Sequence, residues 1–234
     1  MAGSWPEAAI PAGPAAGQRR VGTGLLAAAG AYLIAVAMMG LVFASGPPGQ
    51  LLDPQGQAWA VGALYRWGFV GASLLSPAFA ALLLLLATAA GVPAHATRRA
   101  VATVLLGAYV ALATVAYTSQ YTFFPRLVES DPVAAAPWYF HDVNSLPYAI
   151  DLAGYSLLSL GALLLASLLY ERGRRDLSAW LTLMAVLSLS AFGLHAAGAD
   201  TVAGFLSLAS AGCTVPVVVL GVSEGRRLRA ADAP

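Results

Sequence analysis

The chain has 234 residues, of which 59% are hydrophobic and only 10% charged, and its mean hydropathy is +0.74. Ordinary soluble domains carry about a quarter charged residues, so water is excluded as the main solvent of this surface and bilayer rules apply. The net charge of +1, from 12 arginines and 11 acids with no lysine, gives no reason to expect a nucleic-acid partner.

Residues 1–20 are rich in Ala, Pro and Gly and read as a disordered cytoplasmic tail. Arg19 and Arg20 precede an apolar run, as in twin-arginine and other signal peptides. Gly22–Ala44, however, has the length of a full span, so the reading is an uncleaved first helix. Five further spans are expected at Phe69–Gly91, Ala100–Tyr121, Ala149–Tyr170, Leu177–Ala197 and Val202–Val222. Each is about 20 residues, enough to cross the hydrocarbon at about 1.5 Å per residue. Pro77 and Pro216 fall inside two of them, where kinks rather than breaks are expected. The fold class is therefore all-α, a bundle of six transmembrane helices over residues 21–222, with 223–234 as a second cytoplasmic tail.

The arginines set the orientation. Arg19/Arg20, Arg98/Arg99, Arg172/Arg174/Arg175 and Arg226/Arg227/Arg229 lie in segments that share one side of a six-span chain, and they are ten of the 12. The positive-inside rule makes that side cytoplasmic, with both termini inside and the protein in the cell (inner) membrane. The opposite face carries Asp53, Glu129, Asp131, Asp142 and Asp200, with Arg66 and Arg126, and has the longer loops. Within Ser45–Gly68, the run Ala58–Trp67 reads as a short interfacial helix whose Trp59, Tyr65 and Trp67 suit the headgroup belt. Thr122–Tyr148 contains Pro125, Pro132, Pro137 and Pro147, so it reads as an ordered loop or a set of helical turns.

Chemistry is sought in Tyr117–Tyr155, which holds nine of the 22 aromatic residues and four of the 11 acids. Asp151 is the acid most deeply committed to a span. Tyr148 and Tyr155, at i−3 and i+4, share its helix face, and Ser159 continues it. An ionisable group in a span is expensive, which makes Asp151 a functional candidate. The bland alternative is a carboxylate a turn below the interface, hydrogen-bonded to a tyrosine or capping backbone after Pro147. Thr114, Tyr117 and Tyr121 form a matching stripe on the third span, with Gln120 beside it. Ser188, Phe192 and His195 on the fifth span, and Ser207, Ser210 and Thr214 on the sixth, fit hydroxyl-mediated helix packing, with His195 close to Asp200 across a short turn. His195 reads either as a satisfied interfacial histidine or as a proton relay. Trp138, Tyr139 and Phe140 read as an interfacial anchor followed by His141 and Asp142. If the loop folds back, His141, Asp142, Asp151, Tyr117 and Tyr155 converge on one outward-opening pocket.

Cys213 is the only cysteine, and His95, His141 and His195 are too scattered for paired haem ligation, so no metal and no cofactor are expected. An un-ionised carboxylic acid in an apolar site can give its proton to a substrate, and aromatic faces stabilise the positive charge that develops. Asp151 as donor, Asp142 or His141 as base, and Tyr117, Tyr121, Trp138 and Tyr155 as walls would suit protonation-started cyclisation of an isoprenoid chain. Tyr148 and His195 join them as substrate-binding candidates. In size and general character the chain is similar to small bacterial membrane-bound terpene cyclases. The run Asn144–Tyr170, with Asn144 leading into a helix that carries Asp151 and then Gly154–Tyr155, resembles a segment of uncharacterised six-helix bacterial membrane proteins; that resemblance implies a six-helix bundle and no particular activity. The competing expectations are non-catalytic: binding or transport of a lipophilic molecule or of protons, with a homo-oligomer compensating for the small number of spans, or an accessory membrane subunit. In every case the lipid bilayer is a partner, and in the first two so is a lipophilic small molecule.

Overall fold

The computed structural model describes residues 14–46, 51–53 and 56–230, so the expected disorder of residues 1–13 lies outside the described residues. The helices are α1 (Pro14–Ser45), α2 (Ala63–Ala72), α3 (Leu75–Ala89), α4 (Thr97–Thr122), α5 (Phe124–Ser130), α6 (Pro132–Ala135), α7 (Leu146–Glu171), α8 (Arg175–Ala196) and α9 (Asp200–Ala230). A single 3₁₀ turn covers Ala136–Trp138. Among the described residues the only extended pairing is one antiparallel bridge, Leu52 to Ala58.

Among the described residues six stretches are long and apolar enough to cross a membrane: α1, α2 with α3, α4, α7, α8 and α9. The protein is an all-α, multi-pass membrane bundle. Consecutive spans pack side by side, and α1 closes the ring against α9. Close approach depends on small residues. A Cβ on Gly225 would meet the Gly22 carbonyl oxygen at 2.9 Å, and one on Gly22 would meet the Gly225 carbonyl oxygen at 2.8 Å, so α1 and α9 touch backbone to backbone.

The ends of the spans depart from the sequence reading. Residues 14–20, expected to be disordered, are the first two turns of α1, and α9 runs through the expected tail to Ala230. A helix emerging from a bilayer keeps its hydrogen bonds in water, so loss of hydropathy does not mark its end. Pro77 also does more than kink. Without an N–H it cannot bond to the Ser73 carbonyl, and its ring crowds that group. The chain tightens there, with Leu74 N–H donating to Gly71 O at 3.1 Å and Ser73 Oγ to Phe69 O at 2.8 Å, and α2 and α3 become separate helices. Pro216 sits within the unbroken α9.

The four arginine-bearing segments gather at one end. Arg98 binds both oxygens of Glu171 at 2.8 and 2.9 Å, joining α4 to α7. Arg174, before α8, lies 3.6 Å from Glu224 of α9. Arg99 donates to Val92 O and to Thr88 Oγ1, closing the α3–α4 turn. At the other end Arg66 pairs with Glu129 at 3.2 Å. There the expected interfacial helix is absent. Ala58–Val61 is irregular, α2 starts only at Ala63, and Tyr65 is buried rather than at a headgroup belt. Its ring packs on Phe69 and its hydroxyl has a protein partner, as described next. Trp67 alone of the three aromatic residues stays well exposed.

Candidate functional site

Helix α7 is built to place Asp151. Ser145 precedes it and its Oγ accepts from Tyr148 N–H at 3.3 Å, while Pro147 occupies the first turn, where a missing N–H costs nothing. Asp151 follows a little over a turn later and is buried, at 8% exposure. Around it stand Tyr117 and Tyr109 of α4 and Tyr148 and Tyr155 of α7. The Tyr155 ring centroid lies 5.5 Å from that of Tyr109. One carboxyl oxygen, Oδ1, is buried with no hydrogen-bond partner, and so is the Tyr109 hydroxyl. No Arg or Lys is paired with Asp151. Outward of Asp151, Tyr148 makes edge contacts with His195 (5.5 Å) and Phe140 (6.4 Å), and His195 Nδ1 lies 2.7 Å from Asp200 Oδ1.

Of the residues singled out from sequence, Asp151, Tyr117, Tyr148 and Tyr155 are brought together, with His195 at their outer edge. His141, Asp142, Trp138 and Tyr121 are not. Asp142 is a turn-former: its carboxylate accepts from Asn144 N–H at 2.9 Å and its carbonyl from Ser145 N–H. His141 lies in a separate box of rings, stacked on Tyr139 at 5.2 Å, with Phe43 at 5.3 Å and Tyr65 at 5.9 Å. Its Nε2 is buried without a partner, and burial pushes the imidazole down to about 4. Trp138 packs edge-on against Phe123 at 4.6 Å. Tyr121 lines an open groove of about 580 Å³ between α2 and α4, with Val61, Ala63, Arg66, Trp67 and Val70. Thr114, expected on the same stripe as Tyr117, faces outward. A second, open depression lies at Ala16–Thr23, and neither of the two reaches Asp151. Hydroxyl glue is seen where Ser210 Oγ donates to Met184 O at 2.9 Å and where Tyr32 donates to Thr214 at 2.8 Å.

The residue undervalued from sequence is Gln120. It is fully buried, and its amide is fully used. Oε1 accepts from the Tyr65 hydroxyl (2.7 Å) and from Phe140 N–H (3.3 Å), while Nε2 donates to Ser119 Oγ (2.8 Å) and Trp138 O (3.0 Å). One side chain thereby fastens α2, α4 and the outer loop. Phe140, held this way, rests on Tyr117 at 5.6 Å, so the loop forms a lid over the Asp151 cluster. The signal was present, since a lone amide inside an apolar span demands partners.

No protein-family model, curated protein or solved structure matches the chain. Among the described residues no group of three or more His, Cys, Asp or Glu side chains is placed to hold a metal.

Proposed function

We propose that this membrane protein is an intramembrane enzyme in which Asp151 protonates a lipophilic, isoprenoid-like substrate. The observation that carries the reading is a buried carboxyl oxygen with no partner, faced by tyrosines and by no cation. A carboxylic acid in such a place is a proton donor for a carbon–carbon double bond. The alkene π pair takes the proton, the cation left on the neighbouring carbon is attacked by a second double bond to close a ring, and loss of a proton from the cyclised cation restores a neutral product. The Asp151 carboxylate left after the first step can accept that proton, so no separate base is required. The faces of Tyr117, Tyr148 and Tyr155 are suited to the intermediate cation. His141 and Asp142 are too differently engaged to serve as the base. Entry from the outer side requires Phe140 to move, since it is buried and rests on Tyr117 and Tyr148.

The second reading is binding or transport of a lipophilic molecule, or of protons, without chemistry, by a monomer or a homo-oligomer. It is favoured by one observation, that the two best-formed depressions lie away from Asp151. In both readings the arginine-rich end is cytoplasmic and the Asp151 end faces outward, across the cell's inner membrane. This rests on the arginine distribution. The test is to incubate membranes carrying wild-type or Asp151→Asn protein with polyprenyl compounds. A product that disappears with the variant, or falls by about 10²–10⁴-fold as loss of a general acid predicts, supports the enzyme. Identical product profiles from the two membranes remove the donor role.

A further inference from the structure

If Asp151 gives up a proton in each turnover, it has to regain one whenever the product's proton is lost elsewhere, and the site is closed to bulk water. The surrounding groups offer one graded way out. From α1 comes Tyr32, occupied by its hydrogen bond to Thr214. From α4 come Tyr109 and Tyr117, both buried. On α7 itself, Tyr155 lies inward against the Tyr109 ring, whereas Tyr148 lies one turn outward. Tyr148 stands between Asp151, three residues further along α7, and the His195–Asp200 pair. Its ring also meets His195 of α8, which is partly exposed and bonded to the half-exposed Asp200 of α9. His141 belongs to the separate ring box, and the Asp142 carboxylate to its own turn.

We propose that His195, oriented by Asp200, and Tyr148 form the proton-supply route from the outer surface to Asp151. The inference rests on Asp151 being a proton-carrying acid. The Asp200 carboxylate accepts from Nδ1–H, which fixes the tautomer and leaves Nε2 as the nitrogen that takes a proton from water. The imidazolium then gives a proton to the Tyr148 oxygen as the Tyr148 hydroxyl proton passes to the Asp151 carboxylate. Tyr148 ends neutral, His195 returns to neutral, and the net change is one proton moved inward with no electron transfer. Tyr148 and His195 are positioning and relay residues in this scheme, not groups that form bonds to substrate.

The experiment needs no substrate. The full-length protein in lipid nanodiscs is transferred from H₂O to D₂O, and the infrared carbonyl stretch of protonated carboxylic acids is followed as it shifts on deuteration. The Asp151→Asn variant identifies the band. Tyr148→Phe and His195→Phe should each slow the shift of that band by about tenfold or more, as removal of a proton-transfer group does. The double variant should be no slower than the slower single one, and Asp200→Asn, which keeps the ring in place, should slow it less. Unchanged exchange in both Tyr148→Phe and His195→Phe overturns the route while leaving Asp151 an acid. A wild-type spectrum with no band that Asp151→Asn removes overturns the acid itself, and the route with it. Tyr148→Phe changes only a hydroxyl, so its result stands even where His195→Phe fails to fold.

Discussion

Among the described residues two acids are buried, one near each end of the bundle, and their surroundings are opposite. Glu224 is 6% exposed and surrounded by cations: Arg227 donates to both its oxygens at 3.1 and 2.6 Å, and Arg174 lies 3.6 Å away. Asp151 is 8% exposed and has tyrosines, an unpartnered oxygen and no cation. The first arrangement cancels a charge and ties the α7–α8 turn to α9. The second leaves a carboxyl group with no cation beside it. Burial alone therefore does not tell the two acids of this bundle apart; what stands beside each does.

Stability measurements can break this comparison. Glu224→Gln leaves Arg174, itself only 26% exposed, with the half-exposed Asp176 at 3.8 Å as its remaining partner, and should lower unfolding free energy by about 3 kcal/mol, the low end for a broken buried pair because Arg174 keeps Asp176 and Arg227 is well exposed. Asp151→Asn keeps the shape and one carbonyl oxygen as acceptor and breaks no ion pair, so its stability should stay within about 1 kcal/mol of wild type. Denaturant titration in mixed micelles reads both. A reversed order, with Asp151→Asn the more damaging, would mean that Asp151 is the structural charge of the bundle.

A smaller effect is expected at the hub between the two ring clusters. Gln120→Leu removes the partner of the Tyr65 hydroxyl, of Phe140 N–H and of the Trp138 carbonyl together. The outer loop can recover some of these bonds by taking in water, so the cost should be about 2 kcal/mol rather than the sum for three orphaned groups. Limited proteolysis of residues 122–148 should accelerate in parallel, since the amide is what holds the lid on Tyr117. Equal stability with an unchanged cleavage rate would show that the loop is held by its rings alone.

How far sequence could reach follows from which forces are local. The spans were legible because hydropathy over about 20 residues reports the solvent directly, and the grouping of Arg19, Arg98, Arg174 and Arg226 at one end followed from the span count. Asp151, Tyr148 and Tyr155 were legible as one helix face because 3.6-residue periodicity is local. Tyr117 joins them across the α4–α7 contact, which pattern alone only allowed. The errors share a cause. His141 and Asp142 are neighbours in sequence, yet a tight turn sends one into a box of rings and fixes the other on a backbone N–H, a distinction decided by tertiary contacts. Tyr65 was assigned to the headgroup belt because aromatic residues near span ends usually belong there. Its burial follows from Gln120, 55 residues away.

The smallest expected effect separates the second ring cluster from the first by pH. Burial among Phe43, Tyr65 and Tyr139 lowers the His141 imidazole from 6.5 to about 4. The unfolded chain binds a proton at this histidine below about pH 6.5, whereas the folded chain does not until about pH 4. Stability from this group is therefore complete above pH 6.5 and is lost as the pH falls through that window. Between pH 7.5 and 4.5 the loss should be about 1 kcal/mol once the partial exposure of the ring is discounted. His141→Gln removes the titration, so its unfolding midpoint should fall less than that of wild type over the same interval, while other acids affect both proteins alike. Parallel pH profiles for the two proteins would show that water reaches the imidazole. His141 would then be a solvated loop residue, and Asp151 and Tyr109 would be left, among the described residues, as the buried titratable groups with an unpartnered polar atom.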